Sequence, residues 1–396
     1  MEPGTAKAIE SPRGVRSMNA ENRRLSVTIG QTTCRDEQQA VSEFFSQVHA
    51  ADTDVVIFFC SSRYDLARLG TELKSKFPCP LIGCTTSGEI SPKGYQEGGI
   101  VGAGFKSGEL RIHTRLIPSL DQFHPSRVQQ ITDEIRKELS FSTRFDRNTM
   151  FGVLMIDGLS MFEEHVISSL HSSLNGVSII GGSAGDDLRF EQTMVYSDGR
   201  FIPNAAVFSL FETTLPFYVF NTQHFRPTEK KLVITEADPS RRIVSQINAE
   251  PAAQEFARIL DMPVSALNPR VFSKYPLMLK IGDSWYVRSI QKVNEDGSLS
   301  LFSAIDVGLV LTVGQGENLV VNFENTLHRI SREVPNLRLI IGCDCILRRL
   351  EIVENGLGNQ IDDLLCDTSF IGFSTYGEQY DCVHVNQTLT GVAIGE

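Results

Sequence analysis

The sequence predicts an α/β protein with mixed sheets, taking on α+β character in its second half. Three observations predict it. A strand–helix–strand–glycine turn–strand unit occurs three times. Each helix-like segment carries a one-faced apolar stripe. The region from about 230 to 314 instead alternates short strands with turns. Strand–helix–strand within one sheet implies a parallel pair joined by a right-handed crossover.

The glycine turns define the repeat. Residues 81–89 read LIGCTTSGE and residues 370–378 read FIGFSTYGE, both of the form apolar-Ile-Gly-x-[Ser/Thr]-Thr-x-Gly-Glu. The stretch from Ile179 to Asp186 is the same string one residue shorter, ending in Gly-Asp. An apolar strand opens each unit: DVVIFFC, MFGVLMID and NLRLIIGC. A helix follows each strand. Its stripe is Leu66, Leu69, Leu73 and Phe77 in the first unit, and Phe162, Val166, Leu170 and Leu174 in the second. In the third it runs Ile346, Leu350, Val353, Leu357, Ile361 and Leu364. The closing strands are GGIVGAGF, AAVFSLF and NQTLTGVAIG. By this reading Gly88, Gly185 and Gly377 fall in register at the carboxyl ends of equivalent strands, where ligands of open α/β sheets collect.

The middle copy also spells Gly181-Gly182-Ser183-Ala184-Gly185, the G-x-S-x-G pattern of a hydrolase nucleophile elbow. An elbow needs a helix directly after the serine. Here the chain continues into two apolar runs around Ser197-Asp198-Gly199, which reads as a hairpin. The other two copies lack the pattern, so Ser183 is read as structural. A serine hydrolase is the remote alternative.

Later elements follow from local signals. KLVITEADPSRRIV is a strand, a turn at Asp238-Pro239 and a second strand. AEPAAQEFARIL is a helix with Pro251 at its start. Glu295-Asp296-Gly297 is a turn. Two domains are expected, 25–222 and 223–396. The polar residues 1–24 form a disordered tail, with Met18 an alternative start.

Composition narrows function. Of 396 residues, 41% are hydrophobic and 21% charged, which suits sizeable cores. The net charge of −11 lacks the electrostatic footprint of a nucleic-acid binder. No apolar run approaches the ~18 residues of a membrane span, and no apolar signal segment opens the chain. A cytoplasmic location is expected. The eight cysteines form no C-x-x-C pair, so they read as buried free thiols in a reducing compartment.

PLIGCTTSGEI, IIGGSAGDDLRF with VYSDGRF, LVITEADPSRRIVSQINAEPAAQEFARIL, and FIGFSTYGEQY with VHVNQTLTGVAIG together resemble the FIST sensory proteins, over nearly everything after residue 25. That resemblance implies an N-terminal and a C-terminal FIST domain, and an intracellular ligand sensor rather than an enzyme. Many members are proposed to bind small molecules such as amino acids. The branch of stand-alone two-domain proteins that this chain is similar to implies haem b, nitric oxide as gaseous ligand, and control of a histidine kinase or a cyclic-di-GMP enzyme. A sensor of this kind acts on its partner in trans, and a homo-oligomer is compatible with it.

Haem iron needs an axial ligand in a largely apolar pocket. Two histidines suit the role. His224 stands in FYVFNTQHFRPT, with Phe217, Tyr218, Phe220 and Phe225 to wall a flat ligand and Arg226 to pair with a propionate. His384 stands beside the third glycine turn, with Tyr376, Glu378, Asn386, Gln387 and Thr388 nearby. The resulting expectation is a haem cofactor with His224 as the iron ligand. Cys79-Pro80 resembles a haem-responsive pair. The alternative is an amino-acid-like metabolite, with Glu89, Asp186 and Glu378 receiving an ammonium group.

Overall fold

The computed structural model describes residues 25–49 and 53–396, so the readings on residues 1–24 lie outside the described residues. Three copies of one unit build the body. The first runs β1 (Ser26–Thr32), α1 (Glu37–Val48), β2 (Val55–Ser61), α2 (Leu66–Lys76), β3 (Leu81–Thr86), a hairpin of β4 (Glu89–Ser91) and β5 (Gly94–Gln96), and β6 (Ile100–Lys106). The second runs β7 (Leu110–Pro118), α3 (Pro125–Glu138), β8 (Met150–Ile156), α4 (Glu163–Ser173), β9 (Ser178–Ser183), the hairpin β10 (Val195–Ser197) and β11 (Arg200–Ile202), and β12 (Ala205–Thr213).

The third unit opens with β13 (Phe217–Thr222) and is then interrupted. The insert holds β14 (Phe225–Asp238), β15 (Ile243–Ile247), β16 (Glu250–Pro251), α5 (Ala252–Ile259), α6 (Pro269–Lys274), β17 (Leu277–Ile281), β18 (Ser284–Arg288), β19 (Ile290–Val293), β20 (Leu299–Leu301) and β21 (Val310–Gly316). The unit resumes with α7 (Leu319–Glu333), β22 (Leu339–Cys345), α8 (Ile346–Glu354), α9 (Gly358–Cys366), β23 (Phe370–Thr375), the hairpin β24 (Glu378–Tyr380) and β25 (Val383–Val385), and β26 (Leu389–Ile394). A boundary at 222/223 falls between β13 and β14. It leaves β13 with the N-terminal half, although β13 pairs with β26 of the third unit.

The four long strands of each unit form a sheet in the same order: β1-β6-β2-β3, β7-β12-β8-β9 and β13-β26-β22-β23. The last two strands of each are parallel and the rest antiparallel. An unpaired edge strand is a liability, and each sheet is completed by a neighbour's hairpin. β10–β11 cover β3, β24–β25 cover β9, and β4–β5 cover β23. The exchange is cyclic and ties the three units into a ring.

Alternation along the strands divides the apolar residues between two faces. The inner faces share one core, to which Phe59, Met155 and Phe373 contribute from the three units. The outer faces are covered by helices: α1 and α2 on the first, α3 and α4 on the second, α7 to α9 on the third. The first two stripes bury as expected, with Leu69, Leu73, Val166 and Leu170 inaccessible. The third does not. The segment breaks at Asn355-Gly356, where Gly356 has φ +64°, and α8 turns Ile346, Leu347 and Ile352 inward. Leu350 and Val353 face solvent, Val353 at 69% exposure. Two short helices with different faces explain this; the stripe was one helix only on paper.

Candidate functional site

The glycine turns meet. The Ser87 N–H donates to Ser374 O (3.0 Å) and the Ser374 N–H to Gly88 O (2.7 Å). The Gly185 N–H donates to Thr85 O (3.1 Å), and the Ser183 N–H to Gly377 O (2.8 Å). Each turn thus stitches one unit to the next at the carboxyl ends of the parallel strands, in the register that the repeats predict. Gly185 is required by close approach, since a Cβ there would lie 2.2 Å from Ser87 Oγ. Gly88 has φ +120°, and the guanidinium of Arg349 fills the space over it.

The acidic residues of the turns serve the fold. Glu89 accepts the Gly99 N–H (3.1 Å) and bonds Thr86; Glu378 accepts the Thr388 N–H (3.1 Å) and hydroxyl (2.7 Å) and bonds Thr375. Each reaches ten residues ahead to the start of the closing strand. Burial raises both carboxyls to about 8, so they are neutral acids at neutral pH. Asp186 differs. Burial alone would raise it, but the Tyr376 hydroxyl and the N–H groups of Gln192, Glu191 and Phe190 hold it below the usual carboxylate value. The ring of Phe190 stacks on Tyr376. The oxygens of Glu89, Asp186 and Glu378 are thus engaged within the chain, as is the Tyr376 hydroxyl.

His224 lies between the third unit and the insert. Its Nδ1 faces Arg348 Nη1 (3.2 Å) and its Nε2 faces Glu351 (2.9 Å). Arginine only donates, so Nδ1 accepts and the ring proton sits on Nε2 toward Glu351. Both nitrogens are committed, which leaves no lone pair for iron. The aromatic wall is also divided. Phe217 packs on the inner core, Tyr218 and Phe220 on the outer one, and Phe225 on a separate cluster in the insert. Arg226 is exposed and bonds Gln315. The nearby cavity of 230 Å³ is lined by charged residues including Arg270, Lys274, Glu317 and Glu354. These residues do not fit a haem. Cys79 is half-buried, and burial raises its thiol pKa.

The three sheet-to-hairpin junctions can be compared position by position. One cross-strand pair of each hairpin is Tyr196 with Phe201, Ile90 with Tyr95, and Gln379 with His384. Their partners on the receiving strands are Gly83, Gly372 and Gly181. The first pair is aromatic and packs edge-on against Phe58. The second places Ile90 and Tyr95 on an apolar cluster, with the Tyr95 hydroxyl on Asp344. Only the third is an amide and an imidazole, and both are buried.

That third junction is rich in polar atoms without partners. Gln379 donates from Nε2 to Ser183 Oγ (3.0 Å) and to His384 Nδ1 (3.2 Å), placing the neutral ring's proton on Nε2. His384 Nε2, Gln379 Oε1, both amide atoms of Asn386, Arg288 Nε and Ser303 Oγ are buried and unbonded. Two of these atoms, on His384 and Asn386, meet over Gly377, and Gln379 Oε1 lies over Gly181, 2.8 Å from where a Cβ there would stand. A Cβ on Gly377 would lie 2.7 Å from His384 Nε2 and 3.0 Å from Asn386 Nδ2. Arg288 Nη1 donates to His384 O (2.8 Å). Ser303 is flanked by Phe302, whose carbonyl accepts from Arg242, and Ala304, whose N–H donates to Glu164.

Electrostatics sharpens the picture. Arg242 bridges Glu163 and Glu164, each at 2.7 Å. Burial lowers its basicity, but the two carboxylates more than restore it. Arg288 is buried and, among the described residues, has no carboxylate at ion-pair distance; burial lowers its pKa. Burial also lowers that of His384, against the pull of Glu164 and Glu163. A buried polar atom without a partner costs about 1–3 kcal/mol. Such a cluster is therefore a place where a polar guest gains what the chain forgoes.

Sequence reasoning found His384 and Asn386 here but missed Gln379, Arg288, Ser303 and the Glu163–Arg242–Glu164 bridge. Aligning the three hairpins would have exposed Gln379; nothing local marks the residues of the insert. Ser183 is fully buried, no helix follows it, and Gln379 stands between it and the imidazole. It is no nucleophile elbow. The described residues hold no cluster able to ligate a metal and no helix long and apolar enough to cross a membrane.

Comparison with known proteins places residues 54–250 on the family model for the FIST N domain and residues 252–381 on that for the FIST C domain. An uncharacterized protein of Methanocaldococcus jannaschii is 22% identical over 390 residues, covering 85% of this chain and 73% of its own. Among solved structures, a cyanuric acid hydrolase from A. caulinodans aligns over 94% of this chain and all of its own, at 6% identity and a TM-score of 0.35.

Proposed function

Because the chain belongs to the family built from a FIST N domain followed by a FIST C domain, and so has a sensory signalling role, we propose that it senses a small polar metabolite at the junction of Gln379, His384, Asn386, Arg288 and Ser303. One observation carries this reading. Of three equivalent junctions, only this one replaces a packed apolar pair with amide and imidazole, and it leaves their outward atoms unbonded. Arg288 receives an anionic oxygen of the ligand, because it is the buried cation here without a carboxylate. Asn386 and Gln379 Oε1 supply the acceptors for N–H groups. An amino-acid-like molecule meets both demands. The ligand-bound protein acts on a signalling partner, a histidine kinase or a cyclic-di-GMP enzyme.

His224, the residue expected to hold a haem iron, is engaged on both ring nitrogens. The test is a thermal-shift screen of the full chain against the twenty standard L-amino acids and simple carboxylates. A ligand that binds only the native state raises the midpoint, increasingly with the logarithm of its concentration. At least one compound should do so for the wild type and not for Asn386→Leu. No shift with any compound removes the metabolite reading. A Soret band in the purified protein would instead favour a haem sensor.

A further inference from the structure

The ligand site lies on a seam. Its atoms come from both sides: His384, Gln379 and Asn386 from the third hairpin, Arg288 and Ser303 from the insert. The insert has an apolar core of its own, drawn entirely from Leu232 to Val313, while the cores of the three-unit body take no buried residue from it. What joins the two is polar. Arg242 reaches Glu163 and Glu164, Arg288 reaches His384 O, Ser289 reaches Gln387, and Gln387 reaches Ser273 O (2.7 Å). Phe302 is the apolar exception, lying against Tyr376 and Leu347.

The chain crosses between body and insert twice, and the crossings are side by side. It leaves through Gln223–Phe225 and returns through Gly316–Asn318, with the Glu317 N–H on His224 O at 2.7 Å. His224 is anchored to the body by Arg348 and Glu351, so the crossings are pinned at their base. A lobe with its own core, a polar seam and one two-stranded attachment is the arrangement of hinge closure.

We infer that the insert, residues 225–316, is a clamp that swings about the paired crossings at His224 and Glu317 and closes on the ligand, with the Arg242–Glu163–Glu164 bridge as its latch. The inference rests on the ligand reading above. A guest bonded to Arg288 on one side and to His384 and Asn386 on the other favours the closed state by its contacts to both. That differential binding is what shifts the equilibrium between states. The signal is then the position of the insert relative to the body.

Amide hydrogen exchange on the full chain tests it. The Ala304 N–H bonds Glu164 across the seam (2.6 Å) and reports closure. Without added ligand, Arg242→Ala and, as a milder second variant, Glu164→Gln should speed exchange of the peptide containing Ala304 by about tenfold, as local opening does. Peptides within β14, β21, β22 and β26 should be unchanged. An equimolar pool of the twenty L-amino acids should slow the same peptide in the wild type. Unchanged exchange at Ala304 in both variants, or faster exchange throughout the insert, overturns the clamp. Opening in the variants with no response to the pool supports the hinge and rejects the amino-acid ligand. A thermal shift from the pool without slowing at the seam rejects the clamp and keeps the ligand.

Discussion

His384 in the third hairpin holds the position that Tyr95 holds in the first: each faces its cross-strand partner, Gln379 in one and Ile90 in the other. Tyr95 finishes its bonding on Asp344. His384 leaves Nε2 unbonded while 1% exposed. Tyr196, at the equivalent place against Gly83, also leaves its hydroxyl unbonded, but only at the third junction do both members of the pair, Gln379 and His384, leave a polar atom unbonded, which is where function is expected to sit.

The first prediction concerns that cost. His384→Phe, which copies the aromatic Phe201 of the second hairpin, should raise the unfolding free energy by about 1 kcal/mol by removing an orphaned donor. Denaturant unfolding reads the change. A loss above about 2 kcal/mol, the scale of a lost packing or polar network, would mean that the imidazole is already satisfied.

Glu89 and Glu378 set a pH dependence. Their folded pKa of about 8 lies above the ordinary carboxyl value of 4.5. The folded state therefore holds protons that the unfolded state has released. Their contribution is fully present below pH 4.5 and is lost as pH rises through about 8. Glu89→Gln and Glu378→Gln should flatten the decline in stability between pH 4.5 and about 8. Denaturant midpoints across pH 5 to roughly 9 check this. A wild type whose stability rises over that range would contradict it.

Much of this was legible in the sequence. The three turns, their register and the strands on either side followed from strings such as LIGCTTSGE and FIGFSTYGE, because a glycine forced by close approach leaves a fixed mark. The hairpin exchange was not legible, since pairing partners of three-residue strands carry no local signal. His224 looked free in a row of aromatics; its partners Arg348 and Glu351 lie more than a hundred residues away on a helix whose stripe pointed elsewhere. The site was half visible: His384 and Asn386 were local to the turn, but Arg288 reaches it only through the folding of the insert.

Ser183 should prove structural. Its Oγ accepts from Gln379 Nε2, so Ser183→Ala should cost about 1 kcal/mol, the worth of one such bond. An active-site serine probe should leave the wild-type residue unlabelled; covalent labelling at Ser183 would restore the hydrolase.

His224 should matter for stability and not for iron. His224→Ala removes one acceptor from the fully buried Arg348 guanidinium, which keeps Asp344, and takes the imidazole from Glu351, a change worth about 1–3 kcal/mol. Haemin added to the wild type should give no histidine-ligated spectrum. A Soret shift lost in His224→Ala would instead establish the haem site.

The central claim is that the Gln379–His384 junction binds the ligand. Isothermal titration of the most effective compound from the thermal-shift screen tests it most directly, comparing the wild type with Gln379→Leu/His384→Phe. That double variant rebuilds the apolar pairing found at the other two junctions. Two lost hydrogen bonds predict affinity weaker by about a hundredfold, with circular dichroism and unfolding cooperativity preserved. Equal affinity in wild type and variant would contradict the claim and place the ligand elsewhere.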